Sequence, residues 1–369
     1  MSSTRPAGAR QTLTVTDTLR FHRGGELRQA DLAYETWGEL NEHASNCVVV
    51  FTGLSPSAHA ASSPADPSPG WWEPMIGPAR PIDTDRFFVV CVNSLGSCFG
   101  STGPASFDPV KNGPYQIDFP VLSLEDLAVG SALVLDALGV ERVHTAVGCS
   151  MGGMTALAFS MRYPDRVERL VSVSSAARAA PFAIALRSLQ REMVRRDPAW
   201  EEGRYDGVGP VSGMKMARKL GMISYRSAEE WLTRFGRERV SAERRSNDAF
   251  CIDFEVESYL QAHAEKFTGD FDPNCYLYLS RAMDLFDAAD YGGSVVTGVA
   301  RTDLSKALVI GVATDILFPV FQQEELADAL TGSGCDVKFE VLPSLQGHDS
   351  FLVDMDRFRP VIGEWFATQ

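Results

Sequence analysis

The chain has 369 residues, of which 45% are hydrophobic and 22% charged, so it can bury a large core in one domain or in a domain with an insertion. Its net charge of −14 argues against a nucleic-acid partner, because phosphate binding requires a basic surface. No apolar run is long enough to cross a bilayer, and the polar N-terminal segment lacks the hydrophobic centre of a secretory signal, so we expect a cytoplasmic protein. Seven cysteines without C-x-x-C spacing favour neither a disulfide framework nor a metal site.

Strand and helix patterns alternate along the chain. Apolar, β-branched runs predict strands at residues 30–36, 47–52, 87–93, 143–147, 167–174, 307–312 and 337–342. Helical spacing predicts helices at residues 123–138, 151–163, 322–330 and 355–367. Such alternation predicts an α/β fold with a mostly parallel sheet flanked by helices.

One long stretch, residues 181–296, interrupts the alternation with mainly helical spacing. We interpret it as an inserted helical lid, which leaves residues 1–180 and 297–369 as the core domain. Between Arg187 and Arg245 the chain carries fourteen Lys or Arg and nine Asp or Glu, an excess of +5 (14 − 9). Such a basic region could attract an anionic small molecule, although solvated helix faces that carry arginine explain the excess equally well.

The most informative motif is the pentapeptide Gly148-Cys149-Ser150-Met151-Gly152. It matches the G-x-S-x-G pattern of a nucleophilic serine on a tight strand-to-helix turn, and a predicted strand and helix flank it as that turn requires. Ser150 is therefore the predicted nucleophile, and an incidental serine in a structural turn is the alternative. We expect Cys149 to point into the packed core, because the turn exposes the central residue of the motif.

A serine hydroxyl needs a base within hydrogen-bonding reach and a carboxylate that orients the base. His348 follows the last predicted strand, where the base of such a fold lies, whereas His59 precedes the serine and breaks the expected order. Asp315 follows the apolar strand 307–312, and active-site groups of parallel sheets lie at the carboxyl ends of strands. The order Ser150, Asp315, His348 is that of α/β-hydrolases, and a turn-capping role for Asp315 is the alternative.

An attacked carbonyl also needs two backbone N–H groups that stabilise the negative charge on its oxygen. The first is predicted at Met151, the residue after the nucleophile, and the second at Phe51, after the strand that begins at Cys47. The sequence leaves open which backbone amide near Thr52-Gly53 points inward.

Motifs along the whole chain point to one family. They lie at residues 33–38 (AYETWG), 70–73 (GWWE), 93–98 (NSLGSC), 100–104 (GSTGP), 148–154 (GCSMGGM), 313–319 (ATDILFP) and 346–349 (QGHD). With them the chain resembles the homoserine O-acetyltransferase family of α/β-hydrolase-fold acyltransferases, which includes serine and homoserine O-succinyltransferases. The resemblance implies that acyl-CoA acylates Ser150, that the hydroxyl of an amino acid then removes the acyl group, and that no metal or other cofactor takes part. It also implies a homodimer, made through the lid.

Three segments look most like the serine O-succinyltransferases of that family: Gly53-Leu54-Ser55-Pro56, residues 187–192 and residues 274–279. This implies succinyl-CoA and L-serine as substrates, in cysteine biosynthesis. Arg187 is the candidate for the succinyl carboxylate, because a guanidinium pairs with a carboxylate bidentately and an acetyl group offers it nothing. A surface role for Arg187 is the alternative.

The same resemblance implies that Arg218 binds the carboxylate of the acceptor and that Asp349 binds its ammonium, although Asp349 could simply cap the next turn. L-Homoserine as acceptor and acetyl as donor remain open, because one methylene changes binding by only about 1 to 3 kcal/mol. A more remote alternative is a serine esterase or thioesterase with the same triad. A lipid esterase would have no use for a paired cation and anion at the acceptor position.

Overall fold

An eight-stranded sheet forms the centre of the protein, which a computed structural model describes over residues 9–368. In chain order its strands are β1 (Gln11–Val15), β2 (Ala30–Trp37), β3 (Cys47–Phe51), β4 (Phe88–Val92), β5 (Val143–Cys149), β6 (Val167–Val173), β7 (Lys306–Val312) and β8 (Asp336–Leu342). Their spatial order is β1-β2-β4-β3-β5-β6-β7-β8. β2 runs antiparallel to β1 and β4, and every other neighbouring pair is parallel.

Helices lie on both faces of this sheet and in an insertion at its carboxyl edge. In the described part of the chain they are α1 (Leu124–Ala137), α2 (Met151–Arg162), α3 (Pro181–Arg196), α4 (Val211–Tyr225), α5 (Ala228–Phe235), α6 (Glu255–Phe267), α7 (Pro273–Leu285), α8 (Val295–Val299), α9 (Val320–Gly332), α10 (Ser350–Val353) and α11 (Met355–Ala367). None of them is both long enough and apolar enough to span a membrane.

The core is split between the two faces because side chains alternate along a strand. Val49 of β3 belongs to the apolar cluster that contains α1 and α2, whereas its neighbours Val48 and Val50 belong to the cluster that contains α11. All of β3 is buried, as expected for a central strand of a parallel sheet that is covered on both sides.

The predicted α/β fold is confirmed, and the predicted strands and helices recur with small shifts at their ends. β1 was not predicted, because an edge strand that alternates polar and apolar residues over a short length gives a weak signal. Three pairs of two-residue strands also escaped prediction: Leu19–Arg20 with Glu26–Leu27, Ile76–Gly77 with Ile82–Asp83, and Phe107–Asp108 with Gly113–Pro114.

Five helices, α3 to α7, lie in the chain between β6 and β7, within the predicted insertion. Side chains of α3 and α7 line a cavity together with Ser150, which directly follows β5, so this insertion covers the carboxyl edge of the sheet. α8 packs against α2 and α9 of the core, and residue 296, the predicted end of the insertion, falls within α8. The domain boundaries stay a prediction.

Close backbone approach explains the glycines of the G-x-S-x-G motif. A Cβ atom on Gly148 would lie 2.1 Å from the carbonyl oxygen of Gly152. A Cβ atom on Gly152 would lie 2.2 Å from the carbonyl oxygen of Phe51, at the end of β3. Neither contact can be relieved by a side-chain movement, so α2 can approach the sheet this closely only when both residues are glycine.

Gly152→Ala is therefore expected to destabilise the fold by about 3 kcal/mol or more, because the new methyl group meets backbone on β3. Chemical denaturation followed by circular dichroism measures the change. Gly332→Ala is the matched control, since a Cβ atom there meets nothing within 4 Å. A Gly152→Ala protein as stable as the control would contradict the assigned backbone contact.

Candidate active site

Three side chains meet at the carboxyl edge of the sheet. The Ser150 hydroxyl lies 2.8 Å from Nε2 of His348, and Nδ1 of the same imidazole lies 2.7 Å from Oδ2 of Asp315. Ser150 follows β5, Asp315 follows β7 and His348 follows β8, and parallel strands carry their carboxyl ends to one edge. This chain of hydrogen bonds has the geometry of a nucleophile, a base and the carboxylate that orients the base.

The backbone of Ser150 is strained. Its φ is +56° and its ψ is −125°, a conformation that non-glycine residues rarely adopt. The strain is held by the close packing of β5, α2 and β3, and it presents the hydroxyl to His348. Cys149, the preceding residue, is buried in the apolar core as expected, and burial raises the pKa of its thiol.

Asp315 caps a turn and orients His348 at the same time. Its Oδ1 accepts the backbone N–H groups of Leu317 at 2.8 Å and Phe318 at 2.9 Å, while Oδ2 meets the imidazole. The two roles that the sequence left as alternatives therefore use different oxygens of one carboxylate. With a fully buried side chain, Asp315 has no solvent to screen its charge from His348.

The environment of His348 favours the protonated imidazole. Burial, the largest single effect, and the charge of Arg187 would lower the pKa of His348, but the charge and hydrogen bond of Asp315 together with the charge of Asp349 outweigh them. The net result is a pKa above the ordinary value of 6.5. Phe318 stacks on the ring at 5.1 Å between centroids and Phe351 meets it edge-on at 5.5 Å, which fixes its orientation.

Met151 and Phe51 are the two predicted oxyanion donors, and both roles stay predictions. Met151 is the first residue of α2, where a backbone N–H has no partner within the helix and the helix dipole favours negative charge. Phe51 ends β3 in register with Gly148 and Val92, and neither Phe51 nor Met151 is among the residues that line the cavity beside Ser150. Gly53, Leu54, Ser55 and Pro56, the segment that follows, do line the cavity.

A cavity of about 110 Å³ lies beside Ser150, between the core and the lid. Arg187 of α3 lines it and is buried, with 6% of its surface exposed, so the surface role left open for it is wrong. Its Nε donates a hydrogen bond to Oδ1 of Asp284 at 2.6 Å. Nη2 of Arg187 is buried and has no hydrogen-bond partner among residues 9–368.

Asp349 and Arg218 lie in different parts of the site. Asp349 lines the cavity with Ser150, 3.6 Å from Nε of Arg226, and burial raises the pKa of its carboxyl against the opposing charges of His348, Arg226 and Arg218. Arg218 instead lines an adjoining space of about 30 Å³ and stacks on Phe267 at 4.5 Å. Nε of Arg218 is buried and lacks a hydrogen-bond partner in the described chain. The two spaces share five lining residues: Leu54, Ser55, Gln190, Tyr225 and Tyr276.

His59 is not part of the site. Its Nδ1 lies 2.9 Å from Glu35 and its Nε2 lies 2.8 Å from the carbonyl oxygen of Ser68, so both ring nitrogens have structural partners. His59 therefore has no nitrogen left to serve as a base, which favours His348.

Several cavity residues were missed by sequence reasoning. Tyr276, Ser280 and Met283 lie on one face of α7 at helical spacing, which could have placed them together but not toward Ser150. Trp71 belongs to the 70–73 motif and lines the cavity, with its indole N–H bonded to the carbonyl oxygen of Ser57 at 3.1 Å. No cluster of three or more His, Cys, Asp or Glu side chains that could hold a metal occurs in the described residues.

Comparisons with known proteins agree with this architecture. A family model of the alpha/beta hydrolase fold matches residues 48–354. The chain is 55% identical to a serine O-succinyltransferase of Litchfieldella anticariensis over 97% of this chain and 98% of the relative. It is 57% identical to a serine O-succinyltransferase of Stenotrophomonas maltophilia over 93% of each chain. The chain belongs to the serine O-succinyltransferase family.

Solved structures extend the likeness and confirm the predicted resemblance. A homoserine O-acetyltransferase from Bacillus anthracis superposes with a TM-score of 0.88 at 25% identity over 96% of both chains. Esterase E22 superposes with a TM-score of 0.87 at 26% identity over 96% of this chain and 99% of its own. Acyltransferases and esterases therefore share this fold, so the fold by itself does not determine the substrates.

The raised pKa of His348 predicts how Ser150 reactivity depends on pH. Phosphonylation of Ser150 by a fluorophosphonate requires neutral His348, so its rate is expected to fall as the pH drops through a pKa above 6.5. Asp349→Asn removes a negative charge that favours the imidazolium and should move this limb to lower pH. Intact-mass spectrometry between about pH 5 and pH 9 gives the rates. Asp328→Asn, on the exposed face of α9, is the control. The same pH dependence of the phosphonylation rate in the wild type and both variants would contradict the effect assigned to Asp349.

Proposed function

We propose that the chain is a serine O-succinyltransferase, which moves a succinyl group from succinyl-CoA to the hydroxyl of L-serine through an acyl-enzyme on Ser150. The observation that carries the proposal is the hydrogen-bonded chain of Ser150, His348 and Asp315 in a member of this family. Such a triad serves acyl transfer in general, and the buried charges around it suit charged substrates.

In the first half-reaction the Ser150 oxygen bonds to the thioester carbonyl carbon while its proton passes to Nε2 of His348. The Asp315 carboxylate stabilises the imidazolium that forms. The Met151 N–H and a second amide from residues 51–54 hold the oxyanion. When the carbon–sulfur bond breaks, His348 returns the proton to the sulfur, and coenzyme A leaves as a thiol.

The second half-reaction repeats the steps with the acceptor. The hydroxyl of L-serine gives its proton to Nε2 of His348 and attacks the ester carbonyl, and Ser150 regains its proton as the product, O-succinylserine, forms. The donor acylates Ser150 and coenzyme A leaves before the acceptor attacks the acyl group on the same serine, so the kinetics are ping-pong. No step needs a metal or a prosthetic group, and the product would serve cysteine biosynthesis in the cytoplasm.

Charged side chains supply the recognition in this proposal. Arg187 binds the succinyl carboxylate, and its unpaired buried Nη2 supports that role. Asp349, beside the triad, binds the ammonium of the acceptor, and Arg218 binds its carboxylate across the boundary formed by Tyr225 and Tyr276. A zwitterion held by one partner of each sign brings its hydroxyl to the acyl-enzyme.

A homodimer through the lid is also proposed. Phe182 and Leu189 on α3, and Met216 and Ile223 on α4, are exposed apolar side chains spaced seven residues apart on packed helices. Such a spacing puts each pair on one helix face, and an exposed apolar face marks a site of association.

The direct experiment measures thiol release from succinyl-CoA and acetyl-CoA, each with L-serine, L-homoserine or no acceptor. Succinyl-CoA with L-serine is expected to be fastest, and Ser150→Ala should abolish acyl-enzyme formation by intact-mass spectrometry while Cys149→Ala retains it. Thiol release at full rate without an acceptor would make the protein a thioesterase. The likeness of the fold to esterase E22 is consistent with that alternative.

Arg187→Leu tests donor recognition. Loss of the charge-assisted pair with the succinyl carboxylate should lower kcat/KM for succinyl-CoA about 10-fold to 100-fold and leave acetyl-CoA almost unchanged. The control is Arg196→Leu, an exposed arginine on the same helix, which should change neither donor. Equal losses with both donors would remove the role assigned to Arg187.

A further inference from the structure

A buried cluster of three charged side chains, one of which lines the cavity, connects α3 and α7. Arg187 and Arg191 stand one turn apart on α3, and Asp284 of α7 faces both. Nε of Arg187 lies 2.6 Å from one carboxylate oxygen, and Nη2 of Arg191 lies 2.6 Å from the other. The side chain of Arg187 is 8% exposed, that of Arg191 12% and that of Asp284 2%, so solvent screens these charges weakly.

The charges do not balance. Two guanidinium groups and one carboxylate leave a net charge of +1 (2 − 1) in a buried place, which is costly unless an anion completes it. Arg191 also makes a hydrogen bond between helices, because its Nη1 donates to Oγ of Ser280 on α7 at 2.9 Å. Arg187 lines the cavity and retains an unpaired, buried Nη2, so Arg187 is the member of the cluster that has a donor to spare.

We propose that Asp284 is a positioning residue for donor choice, which holds Arg187 by Nε so that its Nη edge meets the succinyl carboxylate, while Arg191 supplies the charge that keeps the cluster cationic. This inference rests on the proposed function and adds two residues to it. Asp284 and Arg191 act through Arg187 and do not touch the substrate.

The arrangement gives each member a distinct consequence. Without the Arg191 charge, Arg187 and Asp284 form a neutral pair, and the attraction for a second carboxylate weakens although Arg187 is intact. Without the Asp284 charge, the cluster keeps its cations, but the hydrogen bond that fixes the direction of the Arg187 guanidinium weakens, because a neutral amide oxygen is a poorer acceptor than a carboxylate. Both changes lower the use of succinyl-CoA relative to acetyl-CoA, whereas a merely structural role lowers both donors in proportion.

The test compares Asp284→Asn, Arg191→Gln and Arg191→Lys with the wild type. The readout is the ratio of Ser150 acylation rates with succinyl-CoA and acetyl-CoA, followed by intact mass without an acceptor. Asp284→Asn and Arg191→Gln are expected to lower this ratio about 10-fold or more, and Arg191→Lys, which keeps the charge, should recover part of the loss. Arg196→Gln on the exposed face of α3 is the control and should leave the ratio unchanged.

An unchanged ratio in both Asp284→Asn and Arg191→Gln would overturn the proposal, as would equal values for Arg191→Gln and Arg191→Lys. If Asp284→Asn does not fold, the two Arg191 variants decide. The acylation readout does not depend on the acceptor, so it separates this proposal from the proposed function, which fails if the wild type acylates Ser150 but makes no O-succinylserine.

Discussion

The hydrogen bond between Ser150 and His348 is the contact on which the rest of the site depends. Its 2.8 Å length requires β5 and β8 to end at the same edge of the sheet, and it requires the strained turn at Ser150 to present the hydroxyl. The strain is sustained by backbone packing around Gly148 and Gly152. Asp315 then fixes the imidazole with one oxygen while it holds its own turn with the other, so orientation and local fold are linked.

The distribution of charge places buried cations beside the cavity of an acidic protein, as the proposed binding of an anionic acyl group requires. The chain has a net charge of −14, but α3 places the buried guanidinium of Arg187 against the catalytic cavity. Asp284 balances only part of the positive charge that Arg187 and Arg191 bring. Burial makes the remainder effective, because solvent does not screen it. A succinyl carboxylate suits this environment better than an acetyl methyl group.

The lid and the core contribute to the site in different ways. The core supplies Ser150, Asp315, His348 and the 53–56 segment at the sheet edge, together with Asp349 and aromatic side chains such as Trp71. The lid helices α3, α4 and α7 add Arg187, Arg218, Tyr225 and Tyr276. Tyr225 and Tyr276 line both the main cavity and the smaller space beside Arg218. In the proposed reaction the succinyl group of the acyl-enzyme lies on one side of Ser150, and the amino acid that removes it approaches from the other.

The sequence by itself determined the α/β fold, the chain order of Ser150, Asp315 and His348, and the excess of basic residues between Arg187 and Arg245. Apolar residues with a period of 2 or 3.6 and a glycine-rich turn are local signals, and such signals can be read from the sequence without a structure. The tertiary structure decided which side chains meet: Asp284 on α7 with Arg187 on α3, and Arg218 in a separate space from Asp349. Those facts depend on how helices far apart in the chain pack together, and no pattern within one segment records the partner on another.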